Sequence, residues 1–190
     1  MENVIMIVYD FSSEKPQATY EDYSKTPEGG KYQLIGGEII EMTSPTPYHQ
    51  EILQNLNYYL SIFVRQNKLG KIYIAPTDVY FSKTETYQPD ILFLLNENLS
   101  KLQEKKIEGA PDLVIEILSP STGYYDVKYK KSVYEKFGVK EYWIVDPKDK
   151  TIEIYENTNG KFLLISDLTK SDTAKSKLLS GFEIELQKVF

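Results

Sequence analysis

Residues 109–138 read GAPDLVIEILSPSTGYYDVKYKKSVYEKFG. Pro111 opens an apolar run, Leu113-Val114-Ile115, which Glu116 interrupts before Ile117 and Leu118 continue it. A run of this length, rich in β-branched residues and bounded by proline, predicts a strand buried on both faces. A carboxylate inside such a strand is costly unless something pairs with it. Ser119-Pro120-Ser121-Thr122-Gly123 is turn chemistry. From Tyr125 the spacing turns helical through Val127, Lys130, Tyr134 and Phe137, and Gly138 supplies the stop. The stretch therefore predicts a buried acid on a strand, a loop, and a helix that carries lysines back toward that acid.

Outward from this unit the pattern continues as strands and one long helix. Toward the N-terminus, Tyr32–Ile35 and Glu38–Met42 flank Gly36-Gly37, the signature of a β-hairpin. Thr46 is a good N-cap with Pro47 at the first helical position. The helix it opens runs to about Leu69, with Ile52, Leu53, Leu56, Leu60, Phe63 and Val64 on one stripe. Ile72–Ala75, Thr77–Phe81 and Pro89–Leu95 read as strands, Lys83–Tyr87 as a polar turn, and Asn96–Glu108 as weakly helical. On the C-terminal side, Glu141–Pro147 is another interior strand, and Thr151–Tyr155, Lys161–Ile165 and Phe182–Leu186 are further strands. This order predicts an α/β domain with a mixed central β-sheet flanked by helices, an N-terminal hairpin and C-terminal β-strands. The 190 residues are expected to form one domain, 1–190, with 1–31 as a peripheral leader and Val4–Tyr9 as an N-terminal strand.

Composition excludes several function classes. No cysteine is present, which removes disulfides, thiolate catalysis and Cys-ligated zinc and fits a cytoplasmic setting. A net charge of −6 argues against non-specific coating of nucleic acid but leaves room for a local basic groove. No apolar run has the length of a membrane span, so no membrane partner is expected.

Two acids stand out because each interrupts an apolar strand: Asp90 after Pro89, and Glu116. Carboxylates that converge in one pocket repel each other unless one is protonated or a cation lies between them. With oxygen ligands that cation is hard, Mg²⁺ or Mn²⁺. The competing reading of the same residues is a pair of strand-end charges neutralised by lysines.

Gln88-Pro89-Asp90, Ala110–Thr122, Asp126, Lys130, Tyr134, Gly138-Val139 and Glu141–Pro147 together resemble the Uma-two-type family of restriction endonuclease-like proteins, within the PD-(D/E)XK nuclease superfamily. The resemblance covers roughly Tyr20 to Leu186. It implies a Mg²⁺-dependent endonuclease, with Mn²⁺ as substitute, that hydrolyses DNA phosphodiester bonds; a homodimer is expected because cutting two strands is simplest with two sites related by a two-fold axis. Asp90 and Glu116 match the acidic metal ligands, and the Ile117 backbone carbonyl a further ligand. The lysine expected two residues after Glu116 is Leu118 here; Lys130 on the following helix matches the position that supplies it instead. Asp126 lies one helical turn before Lys130 and can pair with it. Glu38 in the hairpin and His49, the sole histidine, match second-tier positions, and Tyr134 is read as packing that shapes the pocket. Alternative readings are the same chemistry on RNA or branched DNA, and a silent nuclease-like domain that binds nucleic acid or protein.

Overall fold

A computed structural model describes residues 17–27, 31–119 and 124–190, with the side chains of 124–126 outside the description. Most of the expected 1–31 leader, including the Val4–Tyr9 strand, and the turn at Pro120–Gly123 lie outside the described residues.

In chain order the elements are α1 (Tyr20–Tyr23), β1 (Tyr32–Ile35), β2 (Glu38–Glu41), α2 (Pro47–Gln66), β3 (Gly70–Ile74), β4 (Val79–Ser82), β5 (Glu85–Tyr87), β6 (Ile91–Leu95), β7 (Ile107–Glu108), β8 (Leu113–Ile117), α3 (Tyr124–Phe137), β9 (Glu141–Asp146), β10 (Thr151–Thr158), β11 (Lys161–Thr169), β12 (Thr173–Lys175) and β13 (Glu183–Glu185). A six-stranded sheet runs in the order β11-β10-β9-β8-β6-β3. It is mixed: β8 and β9 are parallel, joined through α3, and the other neighbours are antiparallel. A five-stranded sheet, β2-β1-β5-β4-β7, and the pair β12-β13 complete the β-structure of the described residues. The mixed central sheet with flanking helices is the architecture expected from the sequence. No described helix is long and apolar enough to cross a membrane.

Strand alternation splits the core in two. On β8, Leu113, Ile115 and Ile117 join Ile52, Leu56 and Leu60 of α2 in one cluster, while Val114 faces the other with Val133 and Tyr134 of α3. The central sheet is thus covered by α2 and the C-terminal segment on one face, and by α3 and the smaller sheet on the other. Thr46 Oγ1 accepts from His49 N at 3.2 Å and fixes the start of α2, as its cap sequence predicts. At the start of β3, a Cβ on Gly70 would lie 1.9 Å from Leu94 O, so only glycine lets β3 approach β6 this closely.

Two local expectations differ. The stretch read as a polar turn, Lys83–Tyr87, contains β5, whose Glu85, Thr86 and Tyr87 are all buried. Glu85 tolerates this because Tyr87 OH, Tyr129 OH and Gly36 N all donate to its carboxylate. The helix α2 ends at Gln66 rather than near Leu69, and Gly70 begins a strand.

On β11 a bulge interrupts the ladder: Leu164 faces Tyr155 and Ser166 faces Ile154, leaving Ile165 unmatched. Phe162 packs on the α3 side and Leu168 on the α2 side.

Candidate active site

The two acids are cross-strand neighbours. Ile91 pairs with Ile115 and Leu92 with Val114. Continuing that antiparallel register by one residue sets Asp90 opposite Glu116, on the same face of the sheet. Asp90 is anchored at the mouth of β6 by the main chain: Ile117 N donates to its Oδ2 at 2.7 Å. Glu116 is anchored by side chains from α3. Lys130 Nζ donates to Oε1 at 3.2 Å, and Tyr134 OH donates to the same oxygen at 2.5 Å.

From the opposite face, the first turn of α2 delivers His49. Its Nε2 donates to Ile117 O at 3.1 Å and lies 3.4 Å from Asp90 Oδ2. Its Nδ1 is buried without a hydrogen-bond partner among the described residues. The site is therefore built where the N-terminal end of β6, the C-terminal end of β8 and the two long helices meet.

Asp90, Glu116, Ile117, Lys130 and His49 line one cavity of about 450 Å³. The side chains at its base are nearly enclosed: Asp90 is 17% exposed, Glu116 9%, and His49 and Lys130 7% each. Enclosure sets the protonation behaviour. Burial pushes the Glu116 carboxyl up; Lys130 works against that rise and the neighbouring Asp90 adds to it. Burial disfavours the charged form of His49, but the hydrogen bond and charge of Asp90, the Ile117 carbonyl and the charge of Glu116 outweigh it and raise its pKa. Burial, then the Glu116 charge, raises the Tyr134 hydroxyl well above its usual range, so it stays a donor.

The donor set was tested against a divalent cation. Among the described residues, no group of three His, Cys, Asp or Glu side chains is placed to hold a metal. Side chains alone are thus too few; Asp90 and Glu116 fit a hard cation when the Ile117 carbonyl is counted as the third oxygen. His49 Nε2 contacts Ile117 O and Asp90 Oδ2, two of the oxygens that would hold a cation.

Of the residues singled out in the sequence, Asp90, Glu116, Ile117, Lys130 and His49 share this cavity, and Tyr134 stands behind Glu116. Glu38 is exposed on β2, the outer strand of the smaller sheet, and is not among the lining residues. Asp126 falls within α3, but its side chain is outside the described residues; the recorded carboxylate partner of Lys130 is Glu116. The sequence reading missed Lys31, Gln33 and Gln50, which also line the cavity. Nothing in their local sequence marks them, because the hairpin and α2 bring them in by tertiary packing alone.

A family profile described as "Uma2: Putative restriction endonuclease" matches residues 18–187. The chain belongs to this family. A solved structure described as "a putative nuclease belonging to DUF820 from Anabaena variabilis ATCC 29413" is similar to it, with a TM-score of 0.76 and 20% identity over 90% of this chain and 97% of the other. That likeness shows the shared fold. The comparison with curated proteins gave no match. The Uma2 chain thus carries an acid pair, a lysine and a histidine in one hollow of a nuclease-type fold.

Proposed function

We propose that this Uma2 protein is a metal-dependent endonuclease that hydrolyses DNA phosphodiester bonds, acting as one cytoplasmic domain with Mg²⁺, or Mn²⁺ in its place. The observation that carries this is the convergence of Asp90 and Glu116, from adjacent strands, on a cavity that also holds the Lys130 amine. Asp90, Glu116 and the Ile117 carbonyl would hold the cation. When bound, it supplies charge neutralisation on the scissile phosphate and a more acidic water.

The chain's own groups do the positioning. Ile117 N–H fixes one Asp90 oxygen, and Tyr134 OH fixes one Glu116 oxygen, so neither carboxylate swings freely. The Asp90 charge adds to the cost of ionising Glu116, and an incoming positive charge relieves it. Lys130, held at 3.2 Å from Glu116, offers its remaining N–H bonds to the attacking water and to a phosphate oxygen. His49 keeps a proton beside Asp90 and the Ile117 carbonyl. A homodimer belongs to the proposal because two sites related by a two-fold axis suit the cutting of two strands. Light scattering tests it, and a monomer mass removes it.

The deciding experiment is Mn²⁺ titration calorimetry with a cleavage assay on DNA and RNA. Wild type binds Mn²⁺ and cuts DNA. Glu116→Gln loses both, and Lys130→Ala keeps binding but loses cutting. Equal cutting by Lys130→Ala removes that lysine from the mechanism. Absence of Mn²⁺ binding in wild type leaves the binding-only reading of the fold.

A further inference from the structure

The depth of the acid cluster bears on which form of DNA reaches it. Duplex DNA is a stiff rod with a persistence length of about 50 nm, so its phosphates approach a surface together. The groups at the base of this cavity are at most 17% exposed. Duplex affinity also rests on many phosphate contacts by lysine and arginine. Among the described residues, the lysines and arginines lining this cavity are Lys31 and Lys130, and Lys130 is already paired with Glu116. The chain as a whole is acidic, at −6.

The rest of the cavity lining has a different character. Met42, Pro45 and Pro76 bring apolar surfaces to it, and Gln33 lines the same cavity. Gln33 is only 4% exposed, and its Oε1 is buried with no hydrogen-bond partner among the described residues. A buried carboxamide left partly unsatisfied is costly, and its backbone cannot move away because β1 is paired on both sides. Its terminal torsion has broad, roughly two-fold freedom, so it can turn either its oxygen or its amine to a ligand. A volume of about 450 Å³ suits a small, largely enclosed ligand.

Building on the hydrolase reading above, we propose that the cavity takes one unpaired nucleotide of the scissile strand, with Gln33 meeting the edge of its base. The preferred substrate is then DNA that is single-stranded, gapped or flapped rather than an intact duplex. These apolar side chains receive the ring face, as pockets that take an unstacked base hold it against apolar or aromatic side chains. The neighbouring phosphate falls toward Asp90, Glu116 and Lys130. A lone strand needs one site at a time, so cutting does not require a two-fold pair.

The test is fluorescence anisotropy in EDTA with labelled single-stranded DNA, a blunt duplex, a gapped duplex and an abasic strand, followed by Mn²⁺ cleavage of the same set. Single-stranded and gapped DNA should bind at least about tenfold tighter than the blunt duplex, the scale of one stacking contact. With single-stranded homopolymers of each of the four bases added to the set, Gln33→Leu should flatten the ranking among them and leave the abasic strand unchanged. Gln33→Glu, which keeps the size and loses the donors, should reorder that ranking. Equal or tighter binding of the blunt duplex overturns the proposal, as does equal weakening of abasic and normal strands by both variants. No binding to any DNA also overturns it. Failure to cleave any substrate, with the strand preference intact, overturns the hydrolase reading alone.

Discussion

Replacing Lys130 by methionine strips Glu116 of its buried cation. The pair sits at 3.2 Å with side chains only 7% and 9% exposed. Removing one partner of such a pair costs about 3–5 kcal/mol, because a charge stays behind in a poorly solvated place. For a chain of 190 residues, each kcal/mol moves Tm by about 2–4 °C. Lys130→Met should therefore lower Tm by at least about 6 °C, measured by circular dichroism in EDTA. Glu116→Gln should cost less, because a glutamine oxygen still accepts from Tyr134 and Lys130. Replacing both charges in one chain leaves no orphan, so the double variant should recover most of the Lys130→Met loss. The reasoning fails if the two single losses simply add within about 0.5 kcal/mol in the double variant.

Tyr134→Phe removes the hydroxyl that donates to Glu116 Oε1 and should cost about 1.5–3 kcal/mol in urea unfolding; an unchanged midpoint would show that the bond is idle. Gly70→Ala forces a methyl against Leu94 O and should lower stability by about 1–3 kcal/mol, read by the same titration. Glu135 is held below its ordinary range by the Phe162 N–H and then by Lys161. Its contribution should thus be present above the unfolded value of about 4.3 and fade as pH falls through the lower folded value. A Tm gap between wild type and Glu135→Gln that grows toward acid pH would contradict this.

The features legible in the sequence share a local cause. The hairpin turn is written in Gly36-Gly37, whose φ values of 59° and 79° are cheap only for glycine. The start of α2 is written in Thr46-Pro47, and Asp90 and Glu116 are visible because each breaks an apolar run. What stayed hidden depends on partners far along the chain. Glu85 looks like a turn residue until Tyr129, 44 positions away, donates to it. His49 has no local sign that its ring will meet Ile117 O, 68 positions away. The cavity lining is likewise assembled from segments that sequence periodicity treats separately. The position of Glu38 outside the cavity lining was also not legible, because hairpin membership says nothing about which end of the sheet faces the cavity.

The unmatched Ile165 on β11 touches a different problem. Dropping that residue would leave every neighbouring pair of the β10–β11 ladder as it is, so both cores should survive its deletion. Its value therefore lies at the rim of the sheet. β11 is the outermost strand there, and it shows Leu163, Leu164 and Ile165 to water at 53%, 50% and 37% exposure. A kink among three greasy side chains, with Glu135 plugging the Phe162 N–H beside them, spoils the straight template that neighbouring molecules need in order to zip on. The surplus residue acts as a guard against clumping, and a chain without it should fold normally yet precipitate sooner.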